Sequence, residues 1–316
     1  MERVIPLVDL DLFVKGDAIQ RNAFVDQLGR AFHEIGFVGV VNHGVPKDLV
    51  DGFYAASKAF FSLPEGEKLR YEIPGLAGQR GYTSFGKEHA KHSEVGDLKE
   101  FFQIGQTVLD GDVIRSEYPE NVLVETPAAF TDLGIKLYKA FEESGAKLLQ
   151  AIALFLKLGE DYFDYKIHNG NSILRAIHYP PIISEPKSAI RAEQHEDINL
   201  ITLLVGASSG GLQVLTKTGQ WMDAIPGENE IVVNVGDMLQ RLTNNYLVST
   251  THRVVNPPRQ EWHIPRLSIP FFLHPRSEMD LSCLESCISS GSQASYESIT
   301  AGAYLDERLR EIGLKK

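Results

Sequence analysis

The chain has 316 residues, 43% of them hydrophobic, enough to bury a sizeable core in one large domain or two closely packed ones. Its formal charge of -11 argues against nucleic acid or an anionic membrane surface as the main partner, because a dispersed acidic balance repels phosphates, and points instead to a small molecule. No apolar run approaches the roughly 18 residues needed to cross a bilayer, and the opening MERVIPLVDLD lacks a signal-peptide layout, so a soluble cytoplasmic protein is the expectation.

In chain order, VIPLVDL reads as a short strand and residues 18–35 as a helix with Phe24, Leu28, Ala31, Phe32 and Ile35 on one face, stopped by Gly36. FVGVV makes the next strand and NHGVP a turn with a structural His43; Pro46 opens a helix carrying Leu49, Phe53, Ser57 and Phe60. From Pro74 to Pro119, glycine, charge and scattered aromatics predict loops with short strands such as KEFFQIG. Thr126-Pro127 then starts a long helix whose apolar stripe, from Phe130 through Phe141 to Phe155, lasts until Gly159, with Gly145 as a candidate bend.

After His168 the pattern changes to short strands bounded by turns: SILRAIHY, NLITLLVG, GLQVL, QWMDAI, EIVVNVGD, THRVV and RLSIPFF. Runs of this length favour an antiparallel sandwich or barrel over a parallel sheet with crossover helices. An amphipathic helix over residues 299–312 closes the chain. Cys283 and Cys287 have no Cys or His neighbours at zinc-finger spacing and read as free thiols in a reducing compartment.

The chemistry-bearing residues fall within the strand-rich block. In QHEDINLITLLVG, His195 and Asp197 stand two apart, so an extended backbone points both to the same side. A third ligand must come from another strand, and His252 heads THRVVNP. Two neutral imidazoles and one carboxylate can occupy one face of a ferrous ion and leave the opposite positions open. A competing cluster, His89, His92 and Glu94 in KEHAKHSEVGD, lacks a rigid strand to hold geometry and reads as a solvated loop. In IPRLSIPFF, Arg266 and Ser268 share one face of an otherwise apolar strand. A charge there is costly unless paired, which leaves an internal salt bridge or a clamp for a small-molecule carboxylate.

Several motifs in register closely resemble the isopenicillin N synthase-like family of Fe(II)/2-oxoglutarate-dependent dioxygenases. IPLVDL, EIGFVGVVNHGVP, FFSLPEGEK and DLKEFFQIG resemble its N-terminal region; HYPP, HED, GGLQVL, NVGD, THRVVNP, RLSIPFF and ITAGAYL follow in the family's order. The resemblance implies a mixed α and β protein with a distorted double-stranded β-helix, or jelly roll. It divides the chain into an N-terminal dioxygenase region over 1–120 and a catalytic core with the long and closing helices over 121–316. It further implies His195, Asp197 and His252 as iron ligands, Arg266 and Ser268 as the grip on 2-oxoglutarate, and Tyr179 as its hydrogen-bonding partner. By the same likeness Phe272 is expected over the substrate, with plain core packing as the alternative. Arg80 and Tyr82 in GQRGYTSFG are expected at the mouth, with a surface salt bridge as the alternative for Arg80. Many plant members carry an Asn where this chain has Ile177.

The activity implied couples oxidative decarboxylation of 2-oxoglutarate by dioxygen to hydroxylation, or a related C–H oxidation, of a small molecule. Two rival readings are an Fe(II) oxidase or oxidative cyclase of the same family that works without 2-oxoglutarate, and a protein that binds 2-oxoglutarate without turnover. Nothing in the motifs points to an oligomeric state.

Overall fold

The computed structural model describes residues 5–76, 78–88, 96–186, 188–206, 208–227, 229–288 and 293–311. The cluster of His89, His92 and Glu94 lies outside them. Among the described residues, twelve strands form two sheets. They are β1 (Leu7–Asp9), β2 (Phe37–Val41), β3 (Gly81–Thr83), β4 (Glu100–Gly105), β5 (Ile173–Tyr179) and β6 (Ala192–His195), then β7 (Ile201–Val205), β8 (Leu212–Leu215), β9 (Trp221–Asp223), β10 (Ile231–Val235), β11 (His252–Val254) and β12 (Arg266–Leu273). The major sheet has the order β1-β2-β10-β7-β12-β5-β4-β3 and the minor sheet β6-β11-β8-β9. All pairings are antiparallel except β1 with β2. This is the antiparallel arrangement expected from the strand pattern and the jelly-roll core that the family resemblance implies.

The helices are α1 (Leu10–Val14), α2 (Ala18–Glu34), α3 (Lys47–Phe61), α4 (Glu65–Leu69), α5 (Ala129–Phe155), α6 (Asp164–Ile167), α7 (Asp237–Leu242) and α8 (Ala301–Glu311). At the start of α2 the Asp17 carboxylate accepts from the amides of Ile19 and Gln20, and the Gln20 side chain accepts from the Asp17 amide. These reciprocal bonds satisfy donors that a helix start leaves orphaned. Gly36 ends the helix region at φ +75, where a Cβ would also meet the Val248 carbonyl at 2.3 Å. Helix α5 continues through Gly145, and the missing side chain there gives room to Leu273, whose Cδ1 would lie 2.3 Å from a Cβ. That glycine is a close-packing position. Among the described residues, no helix is long and apolar enough to cross a membrane.

The period of two along the major sheet separates core from site. On β12, Leu267, Ile269, Phe271 and Leu273 join the large cluster that packs against α5, where Phe271 stacks on Phe141 at 5.5 Å and meets Tyr138 edge-on. The alternate residues Arg266, Ser268, Pro270 and Phe272 face the opposite side. Strand β5 repeats the pattern: Leu174 and Ala176 pack into the core, while Ile173, Arg175, Ile177 and Tyr179 line a cavity. Strands β7 and β10 contribute Thr202, Leu204, Val232 and Asn234 to that cavity by the same rule. One face of the sheet is thus sealed by helices and the other is left to chemistry.

The stretch read as loops with short strands supplies β3 and β4; β4 falls within the expected strand KEFFQIG, and all six of its residues are buried. Glu100 of β4 pairs with Lys68 at 2.6 Å, and Lys99 just before it pairs with Glu88 and Asp97, each at 2.7 Å. Paired charges can be buried where single ones cannot.

Candidate iron centre

Antiparallel pairing of β6 with β11 sets His195 directly opposite His252, and the two rings lie 4.4 Å apart between centroids. Each ring is oriented through Nδ1: that of His195 lies 2.6 Å from the Glu193 carbonyl oxygen and that of His252 lies 3.1 Å from the Thr250 carbonyl oxygen. A carbonyl can only accept, so Nδ1 carries the proton and the Nε2 lone pair is left for a metal.

Asp197 follows His195 at the end of β6. Its Oδ2 accepts from Thr202 Oγ1 at 2.6 Å and from Asn234 Nδ2 at 2.8 Å, while Oδ1 lies 3.8 Å from His252 Nε2. Asn199 in turn donates to Thr202 Oγ1 and to the Ile201 carbonyl. The carboxylate is therefore held from behind by β7 and β10, with its other oxygen turned toward the histidines. The three ligand atoms lie within 4.8 Å of one another, and among the described residues this is the one such group.

Burial pushes the His195 imidazole down, with the His252 ring acting in the same direction. Burial alone would raise Asp197, but His252, His195 and the hydrogen bonds from Asn234 and Thr202 bring it below the ordinary carboxylate range. Neutral imidazole and ionised carboxylate are the states in which these groups coordinate a cation. The donor set fits a divalent ion with imidazole and carboxylate preference, and it occupies only one side of such an ion.

The triad opens on a cavity of about 610 Å³ between the two sheets. Tyr179, Arg266, Ser268 and Phe272 line it together with the three ligands. Arg266 is 1% exposed, its Nε donates to the carbonyls of Ser209 and Gly210 at 3.2 Å, and its Nη1 is buried with no partner among the described residues. Among the described residues it forms no ion pair, which removes the internal salt bridge as an explanation. Its guanidinium stands 5.0 Å from the Tyr179 ring centroid, opposite Tyr179 in the β12–β5 register. This end of the cavity can receive a carboxylate.

Arg80 and Tyr82 do not line the cavity. Arg80 is 1% exposed, packs against Gly105 and donates to the Gln79 carbonyl, so it is not a surface ion pair either. Tyr82 donates to Glu100 and packs against Phe60. The β3–β4 register places Tyr82 opposite Phe102 of the core, which turns its ring to the helix side. In their place the cavity wall carries Arg175, Gln103, Glu88, Lys99, Asp97 and His274. Arg175 was legible in part, since it alternates with Ile177 and Tyr179 in SILRAIHY. Its partners come from other segments.

His274 Nδ1 lies 3.1 Å from the Phe272 carbonyl oxygen, and its Nε2 is buried with no partner among the described residues. Burial holds this imidazole down to about 4 from the ordinary 6.5, against the opposing pull of the Phe272 carbonyl and Asp197. Between those values the unfolded chain binds the extra proton, so folded-state stability falls as pH drops from 6.5 towards 4. The full effect is on the order of 3 kcal/mol. His274→Asn should flatten the stability slope, read from urea midpoints between about pH 7 and 4. An unchanged slope would mean that other groups carry the acid sensitivity.

Comparison with known proteins accords with this geometry. Residues 5–126 match the family model described as non-haem dioxygenase in morphine synthesis N-terminal, and residues 170–275 match that of the 2OG-Fe(II) oxygenase superfamily. The 2-oxoglutarate-Fe(II) type oxidoreductase ppzC of Metarhizium rileyi is 30% identical, covering 98% of this chain and 87% of its own. The chain belongs to the 2OG-Fe(II) oxygenase superfamily. A crystallised 2OG-Fe(II) oxygenase family protein from Caulobacter crescentus superimposes with a TM-score of 0.88 at 41% identity, covering 98% of this chain and all of its own. A full-length Neurospora crassa protein, crystallised with alpha-KG and thymine, gives 0.86 at 31% identity over 98% and 97% of the two chains. This oxygenase uses Fe(II) and 2-oxoglutarate, and His195, Asp197 and His252 are its iron triad.

Proposed function

We propose that this oxygenase holds 2-oxoglutarate through Arg266, Ser268 and Tyr179 and oxidises a C–H bond of an uncharged small molecule placed against Arg175, Phe272 and His274. When bound, iron and the keto acid supply an oxidation by dioxygen coupled to decarboxylation. The chain's own residues do the rest: the triad fixes the open side of the metal, Arg266 anchors the distal carboxylate, and the apolar walls from Ile177, Leu204 and Val232 exclude water.

The observation that carries the substrate reading is the cancelled charge of the wall. Arg175 Nη1 donates to both oxygens of Glu88 at 3.2 Å, its Nε donates to Gln103, and Lys99 bridges Glu88 and Asp97. Two cations meet two carboxylates, so this wall is polar but carries no net charge. Arg175 Nη2 has no protein partner among the described residues and offers a donor, while His274 Nε2 offers an acceptor. An amide, lactam or imide presents the complementary pair. The thymine complex of the Neurospora crassa protein supports this class, since thymine is such a compound. Proline hydroxylase buaE of Petromyces alliaceus, 31% identical over 92% of this chain, supports a small-molecule substrate more generally. The matched spans of the two family models support a division near residue 120, with 1–120 flanking the core formed by 121–316.

Anaerobic loading with iron and 2-oxoglutarate, then a metabolite screen for substrate-stimulated succinate release, tests the reading. Neutral lactams or imides should stimulate turnover, and Arg175→Met should lower their kcat/KM by roughly 10- to 100-fold, the value of a hydrogen bond to a charged donor. Stimulation confined to carboxylic acids or amines would refute the neutral wall.

A further inference from the structure

Arg266 has a neighbour of the same charge. Arg191, immediately before β6, is 2% exposed; its Nη2 donates to the Ile264 carbonyl at 3.0 Å and its Nε is buried with no partner among the described residues. Its Cζ lies 5.9 Å from the Tyr179 ring centroid, and that of Arg266 lies 5.0 Å from the same ring. Neither arginine forms an ion pair with a described carboxylate. The groups that favour the charge of Arg191 at longer range are the Tyr179 phenol and, after it, the exposed Glu261. Burial, with Arg266 adding to it, brings Arg191 from 12.5 down to about 10.

Two buried guanidinium groups sharing one phenol ring, without a counter-ion among the described residues, form an arrangement that repels itself until an anion arrives. Arg191 is not part of the cavity wall, so its charge reaches an occupant through space and through Tyr179. We infer that Arg191 is a positioning residue of the cosubstrate site, which seats Tyr179 and adds the second positive charge that selects a dicarboxylate keto acid over a monocarboxylate one. The inference rests on the reading of Arg266 and Ser268 as the clamp.

Calorimetric titration of the iron-loaded protein under argon tests it, with 2-oxoglutarate and its 5-methyl ester as paired probes. The ester keeps the chelating end and loses the distal charge. Arg191→Met should weaken 2-oxoglutarate about tenfold, the effect of one unit charge in a partly screened interior, and leave the ester within about twofold. The preference for the diacid then shrinks by the same factor. Arg191→Lys should restore most of it, and Arg191→Gln provides a second uncharged variant should the Met variant fold poorly. Equal losses for both probes would reduce Arg191 to a structural role, and an unchanged diacid preference would overturn the inference. Arg266→Ala separates the two layers: if it leaves 2-oxoglutarate affinity intact, the clamp itself is misassigned, whereas a loss there beside a neutral Arg191→Met defeats only the present inference.

Discussion

Asp197→Ala should yield a folded protein that no longer retains stoichiometric iron and releases no succinate. Asp197 is the single anionic ligand, and the two histidines beside it coordinate as neutral imidazoles, so the variant asks a doubly charged ion to sit in a buried site with no compensating charge. Loss of a group that merely orients a ligand costs about 10- to 100-fold in metal affinity, and loss of the ligand itself must exceed that. The hydroxyl of Thr202 and the amide of Asn234, which now donate to Asp197, would be left facing a gap. Metal analysis after anaerobic loading and desalting measures the first effect, and succinate release the second. Retention of both would remove Asp197 from the centre.

Arg266→Ala is expected to weaken 2-oxoglutarate binding by roughly 2–5 kcal/mol, the cost of removing one partner of a buried charge-assisted pair. At about 1.4 kcal/mol per decade this is a loss of some 30- to several thousand-fold. The size follows from burial: Arg266 is fixed by the Ser209 and Gly210 carbonyls, and its Nη1 is buried with no partner among the described residues. Because the proposed contact is to the unreacting end of the keto acid, the KM for 2-oxoglutarate should rise far more than kcat falls at saturation. Calorimetry and steady-state kinetics together read this division. Unchanged affinity would mean that the guanidinium serves another ligand.

Local pattern carried the metal site a long way. The spacing of His195 and Asp197 places both on one side of an extended chain, and the alternation in IPRLSIPFF places Arg266 with Ser268 whatever the strand packs against. The alternation in SILRAIHY likewise puts Arg175 with Tyr179. What such patterns omit is which strand lies opposite. Arg80 and Tyr82 sit in a segment whose outcome depends on pairing with β4, and that pairing turned them into the interior. Arg175 depends on Glu88 and Gln103, and Glu88 is held by Lys99, which also holds Asp97; none of these is near it in sequence.

By itself the sequence determined the donor types, their spacing within each strand, and the side of the strand each would face, because those follow from backbone geometry over a few residues. Only the tertiary structure decided that β6 and β11 pair with His195 against His252. It alone set Arg191 and Arg266 on one ring and cancelled the charge of the cavity wall. The reason is physical: strand periodicity is local, whereas register, ion pairing and the burial that gives an unpartnered charge its force arise only when distant segments exclude water together.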